Sequence, residues 1–200
     1  MEYNLKINFS CDDLANIYKA NQKVTLIKES SGNSVPWVTF TPFQCNKISW
    51  DENYSIFAST NLSQHGVMID KVSETNANDG IVYDFNTGIF RRNADEKTKK
   101  GSFQAVNNTS ENLTLGLAQT VTVNNNKCKG APITASTVLA GQSVTFTPIE
   151  KVKILLHSNE THKGQILSEV SSQKFSAYFG QGQDSISIEY NGLTGKFNNI

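Results

Sequence analysis

Apolar and polar side chains alternate along most of this 200-residue chain. Leu5, Ile7 and Phe9 are separated by polar residues, and Ile186 and Ile188 show the same spacing near the carboxyl end. A period of two is that of a β-strand with one buried face, whereas a helix needs a period near 3.6. Gly and Asn clusters punctuate these segments every 8–12 residues or so. The pattern predicts an all-β protein of short antiparallel strands arranged as β-sandwiches.

One segment departs from this alternation and has the features of a helix. Ser10 can cap a helix whose third residue is Asp13, and Leu14 and Ile17 then fall on one face. The spacing predicts one short helix near residues 10–20.

Four blocks of similar sequence occur in the same order in both halves of the chain. They match residues 4–7 with 112–115, 38–42 with 144–148, 66–73 with 164–171, and 81–90 with 188–197. The second match is an identical Val-Thr-Phe-Thr-Pro. A fixed order of similar blocks indicates an internal duplication.

The densest run of charged residues lies between the two copies, at residues 91–101. Such a run is typical of a solvated connection. We therefore expect two tandem β-sandwich units, at residues 1–90 and 112–200, joined by a linker at residues 91–111.

Composition excludes several classes of partner. Lys plus Arg and Asp plus Glu number 18 each, so the net charge is zero, and nucleic-acid binding is not expected. No apolar run has the length of a transmembrane segment. The first residues lack the features of a secretory signal, so we expect a cytoplasmic protein with reduced, mostly buried thiols at Cys11, Cys45 and Cys128.

Motifs of catalysis and metal binding are missing from the sequence. Neither a Gly-x-Ser-x-Gly elbow, nor His-Glu-x-x-His, nor a phosphate-binding loop occurs. His157 and His162 are five residues apart, which suits neither a helical pair nor one face of a strand. We predict a protein that is not an enzyme, with no catalytic residues, no metal and no cofactor.

Aromatic residues beside Asp and Asn form the candidate ligand or partner surface. The candidate residues are Trp37, Trp50, Asp51, Asn53 and Tyr54. Aromatic faces next to such polar groups suit neutral sugars, but tryptophans also pack in the cores of β-sandwiches. Both interpretations stay open at this point.

Three functions follow from these features. The leading hypothesis is a non-enzymatic interaction protein that self-associates through its sheets, since a neutral chain rich in strands favours contacts between copies. The first alternative is a lectin-like carbohydrate-binding module that uses the aromatic residues. The second is a cytolysin or toxin component, because the alternation from residue 113 to 123 is also that of membrane hairpins.

Overall fold

The computed structural model describes residues 1–31, 33–62, 68–157 and 173–200, and most of them lie in β-strands. The predicted all-β class is confirmed. In chain order the elements are β1 (Glu2–Asn8), α1 (Cys11–Lys19), β2 (Lys23–Ser30), β3 (Asn33–Ser34), β4 (Val38–Phe40), β5 (Cys45–Ser59), β6 (Lys71–Ala77), β7 (Ile81–Asn86), β8 (Ile89–Lys97), β9 (Phe103–Asn107), β10 (Leu113–Val123), β11 (Asn126–Val138), β12 (Ser143–Phe146), β13 (Pro148–His157), β14 (Phe175–Tyr178), β15 (Ser185–Asn191) and β16 (Lys196–Asn199).

Helix α1 forms where the capping pattern predicts it. The Ser10 side chain accepts a hydrogen bond from the Asp13 backbone N–H at 3.1 Å, and Leu14 and Ile17 are buried. The polar cap satisfies one of the free N–H groups of the first turn, and the apolar face attaches the helix to the core.

The strands of the described residues form three sheets. An eight-stranded sheet has the order β16-β15-β1-β5-β10-β11-β3, with β6 also paired to β5. The two four-stranded sheets have the orders β12-β9-β7-β8 and β14-β13-β2-β4. The expectation of a wholly antiparallel arrangement is wrong, because β1 pairs with β15 and β7 pairs with β9 in parallel.

The pattern of strand pairing recurs in the two halves of the chain. Four strand pairs of the first half have counterparts in the second half. In order, β1–β5 corresponds to β9–β12, β2–β4 to β10–β11, β5–β6 to β13–β14, and β7–β8 to β15–β16. Pairs between the halves recur as well, with β5–β10 matched by β13–β2 and the parallel β1–β15 matched by β9–β7. In this pattern β5 corresponds to β12 followed by β13.

The register of the strands identifies corresponding residues. Tyr54 pairs with Gln119 on one side and Ala77 on the other. Val152 pairs in the same way with Lys28 and Ala177. The corresponding pairs are therefore Tyr54 with Val152, Gln119 with Lys28, and Ala77 with Ala177.

Each half contributes its last hairpin to a sheet of the other half. The β15–β16 hairpin lies beside β1, and the β7–β8 hairpin lies beside β9. The expected linker, residues 91–111, contains the end of β8 and all of β9. The division into units at residues 1–90 and 112–200 stays a prediction, and strands of both halves share sheets.

One of the matched sequence blocks, residues 81–90 with 188–197, falls on corresponding hairpins, but its residues do not correspond one to one. Tyr83 pairs with Ala105 of β9, and Ile188 pairs with Ile7 at the corresponding position of β1, so Tyr83 corresponds to Ile188 and its match with Tyr190 is wrong. The matches of 4–7 with 112–115 and of 38–42 with 144–148 are wrong, because β1 differs from β10 in its partners and β4 differs from β12. The match of 66–73 with 164–171 lies largely outside the described residues.

Candidate functional site

A buried lysine lies where the eight-stranded sheet meets the sheet of β2 and β13. Lys28 has no exposed surface. Its Nζ donates to Gln119 Oε1 at 2.7 Å and to both carboxylate oxygens of Glu150 at 2.8 Å. Lys28 and Glu150 belong to β2 and β13, whereas Gln119 belongs to β10, so these contacts join two sheets.

Three aromatic rings surround the lysine ammonium group. Lys28 Nζ lies 5.4 Å from the ring centroid of Trp37, 5.6 Å from that of Trp50 and 5.3 Å from that of Tyr54. Electron-rich ring faces attract a cation at this range, and the attraction is strongest where water is excluded.

Glu150 receives hydrogen bonds from several directions. Besides Lys28, the Tyr54 hydroxyl donates to Oε1 at 2.6 Å and the Trp50 indole N–H donates to Oε2 at 3.2 Å. The Glu150 side chain is 17% exposed. The donors hold this carboxylate in one orientation with its remaining surface towards solvent.

Burial changes the proton affinity of this cluster. It lowers the pKa of Lys28 to about 8, although the neighbouring Glu150 carboxylate acts in the opposite direction. Burial, followed by the charge of Glu150, raises the pKa of Tyr54. Burial also raises the pKa of Tyr3, whose hydroxyl donates to Glu52.

A cleft of about 530 Å³ opens beside Glu150, and we call it the Glu150 cleft. It lies between β5, the β6–β7 turn, the start of β9 and the start of β13. The lining residues are Glu52, Asn53, Tyr54, Ala77, Asn78, Asp79, Lys100, Gly101, Phe103, Pro148 and Glu150.

The rim and floor of the cleft differ in polarity. The rim residues are exposed and polar: Glu52, Asn53, Asn78, Asp79 and Lys100. The floor includes the buried rings of Tyr54 and Phe103, whose centroids are 5.1 Å apart. The Gly101 N–H donates to Asp79 Oδ2 at 2.9 Å, which orients that carboxylate. An apolar floor below a few oriented polar groups is typical of a small-molecule site.

The structure separates the candidate residues into two groups. Trp37 and Trp50 are 0% and 3% exposed and belong to the core. Asp51 has an exposed side chain outside the cleft lining, and its backbone oxygen accepts from Gln119 Nε2 at 2.6 Å. Asn53 and Tyr54 line the Glu150 cleft.

Sequence reasoning missed the lysine at the centre of the cluster. Val24, Leu26 and Lys28 are spaced two residues apart, which places Lys28 on the same inward face of the strand. This spacing is the sequence signal from which a buried lysine could have been predicted. Glu150, Asp79 and Lys100 come from distant parts of the chain, so no local pattern connects them.

The cysteines differ from their expected burial. Cys11 and Cys45 are exposed and Cys128 is half-buried, so the expectation of mostly buried thiols is wrong. All three are free. In the described residues, no group of three or more His, Cys, Asp or Glu side chains is placed to hold a metal ion.

Comparisons with known proteins identify no relative. The chain matches no protein-family model, no curated protein and no solved structure. Within the described parts of the chain, no helix has the length and apolar character needed to cross a bilayer.

We expect Glu150→Ala to destabilise the fold by about 3–5 kcal/mol, because Lys28 would remain buried without its charged partner. The matched control is Glu29→Ala, which removes the partly exposed bridges to Lys151 and Lys153 and should cost less than about 1 kcal/mol. Urea unfolding measures both values, and equal losses would contradict the central role of the buried pair.

We also expect the free energy of unfolding to rise as the pH increases from about 8 towards about 10. In this window the unfolded chain still binds a proton at Lys28 that the folded chain has released, since the folded pKa is about 8. Above about pH 10 the unfolded tyrosines lose protons that Tyr3 and Tyr54 retain in the fold, so stability should fall. Urea titrations across this range should show the rise in the wild type and in Lys47→Met, an exposed-site control. A rise that persists in Lys28→Met would show that another group causes it.

Proposed function

We propose that this chain is a non-enzymatic binding protein that takes a neutral, hydroxyl-rich ligand, a carbohydrate, in the Glu150 cleft. The observation that supports this most is the set of oriented polar groups above a buried aromatic floor. The volume of about 530 Å³ falls in the range of about 300–1,000 Å³ that is usual for small-molecule sites.

The charges around the cleft favour a neutral ligand. The Lys28 ammonium group balances the charge of Glu150, with 2.8 Å between Lys28 Nζ and Glu150 Oε1. The other charged residues of the lining are one cation, Lys100, and two carboxylates, Glu52 and Asp79. A polyanion would meet both carboxylates, whereas sugar hydroxyls can donate to them and accept from the amides of the rim.

The hydrogen bonding of Glu150 favours binding over catalysis. A general acid or base must exchange a proton with its substrate. Glu150 instead accepts hydrogen bonds from Lys28, Tyr54 and Trp50, so both of its side-chain oxygens are already engaged by donors of the protein itself. We infer that it organises the cleft floor and transfers no proton.

A glycan array followed by calorimetry tests this function. We expect Asn53→Ala and Asn78→Ala each to weaken binding about 2- to 10-fold, because a lost hydrogen bond costs about 0.5–1.5 kcal/mol. Asn198→Ala, at an exposed position on β16, is the control and should bind as the wild type does. Equal affinities for all variants, or no binding of any glycan by the wild type, would contradict the proposal.

We also infer that the chain is an internal duplication of a β-sandwich unit whose copies exchange their last hairpins. The recurrent pairing supports this, since each described hairpin and each parallel contact of one half has a counterpart in the other. Lys28 and Gln119 are corresponding residues that touch each other, as expected close to a two-fold axis between the copies.

Self-association is the second candidate function, and an apolar surface around α1 favours it. Tyr18, Phe43 and Leu193 are 47%, 58% and 99% exposed. The Tyr18 hydroxyl donates to the Pro42 carbonyl at 2.6 Å, which places Phe43 near the helix. The turn that contains Leu193 lies against α1 at Asp13. No comparable observation favours a cytolysin, because β10 is a buried strand between β5 and β11.

Sedimentation equilibrium over a range of concentrations tests the second candidate. We expect the apparent mass of the wild type to rise with concentration and that of the double variant Phe43→Ser, Leu193→Ser to stay at one chain, because the variant removes apolar surface from the α1 end. Ile89→Ser, an exposed apolar control on β8, should behave as the wild type. A monomeric wild type at all concentrations would contradict self-association.

A further inference from the structure

The wall of the Glu150 cleft has a counterpart in the other half of the chain. Residues 77–80 are Ala-Asn-Asp-Gly and the corresponding residues 177–180 are Ala-Tyr-Phe-Gly. Both segments begin within the end of an edge strand, and both end at a glycine of positive φ, 74° at Gly80 and 91° at Gly180. Asp79 therefore occupies the position of Phe179.

The opposite wall corresponds in the same way. The Phe9 N–H donates to the Gln44 carbonyl at 2.9 Å, and the Asn107 N–H donates to the Gln142 carbonyl at 2.8 Å. These contacts set the register of β1 on β5 and of β9 on β12. Counting back from them, the facing pair of Tyr3 and Trp50 corresponds to Gly101 and Pro148.

Aromatic rings fill the counterpart of the cleft. The Phe179 ring centroid lies 5.7 Å from that of Tyr3 and 4.8 Å from that of Trp50, with edge-to-face geometry in both contacts. Phe179 is 8% exposed. The Glu150 cleft has Asp79, Gly101 and Pro148 at these three positions. The space that rings occupy in one half is therefore open in the other.

We propose that one six-membered ring of the ligand fills the space in the Glu150 cleft that corresponds to the space of the Phe179 ring, with hydroxyls directed at the Asp79 carboxylate. This subsite rests on the proposed function and names its ligand more closely, as a pyranose. The Gly101 N–H orients the Asp79 carboxylate, which makes Asp79 the specificity-determining residue. The buried Tyr54 and Phe103 rings line the same cleft and are the aromatic surface available to the apolar face of the sugar.

Asp79→Phe tests the subsite, because it restores the ring that the other half contains. The probes are methyl pyranosides of the common hexoses, with binding measured by saturation-transfer NMR and titration. We expect the affinity of the best-bound methyl pyranoside to fall at least 100-fold in Asp79→Phe, while the melting temperature stays equal to or above that of the wild type. Asp79→Asn keeps the shape but removes the anionic acceptor, and a loss of about tenfold is expected. Asn198→Phe is the control for an added ring.

The outcomes separate the subsite from the binding function. If Asn53→Ala weakens pyranoside binding while Asp79→Phe binds as the wild type does, the ring position is wrong and the carbohydrate site stands. If Asp79→Phe melts well below the wild type, the position does not accept a ring and the inference is overturned. If the wild type binds no pyranoside, both the proposed function and the subsite are overturned.

Discussion

The buried ion pair of Lys28 and Glu150 is the interaction on which the rest of the structure depends. It joins β2 and β13 to the eight-stranded sheet through Gln119. A charge without exposed surface is tolerated only when its partners are in place, and removal of one partner typically costs several kcal/mol. The pair therefore favours the arrangement of the two sheets that brings Lys28, Glu150 and Gln119 together. The rings of Trp37, Trp50 and Tyr54 complete the enclosure and keep water out.

The same arrangement explains why a cleft exists next to so densely packed a centre. Tyr3, Trp50 and Phe179 close one side of the cluster with aromatic contacts. On the corresponding side, smaller or polar residues take their places, and the Glu150 cleft opens there. The candidate site is therefore produced by a difference in side chains between two halves in which most strand pairs recur. Its floor is preorganised by contacts that the fold needs in any case, which reduces the cost of ordering on binding.

Local patterns predicted the class of the fold but not its connections. Alternation identified the strands, and Ser10 with Asp13 identified the start of α1. The parallel pairs β1–β15 and β7–β9 join segments far apart in sequence, and a period of two contains no information about partners. Short matches such as residues 4–7 with 112–115 reflect the composition of strands. Of the site, Asn53 and Tyr54 were predicted, whereas Asp79 and Glu150 approach them only through the pairing of distant strands.

Mapping of amide chemical shifts in the full chain tests the central claim most directly, that the Glu150 cleft is a ligand site organised by the buried pair. On titration with a methyl pyranoside, we expect shifts at Asn53, Asn78, Asp79 and Lys100, with the Trp37 indole signal unchanged because that group donates to the Gln119 carbonyl inside the core. Shifts centred on Tyr18 and Phe43 instead, with the cleft amides unchanged, would contradict it.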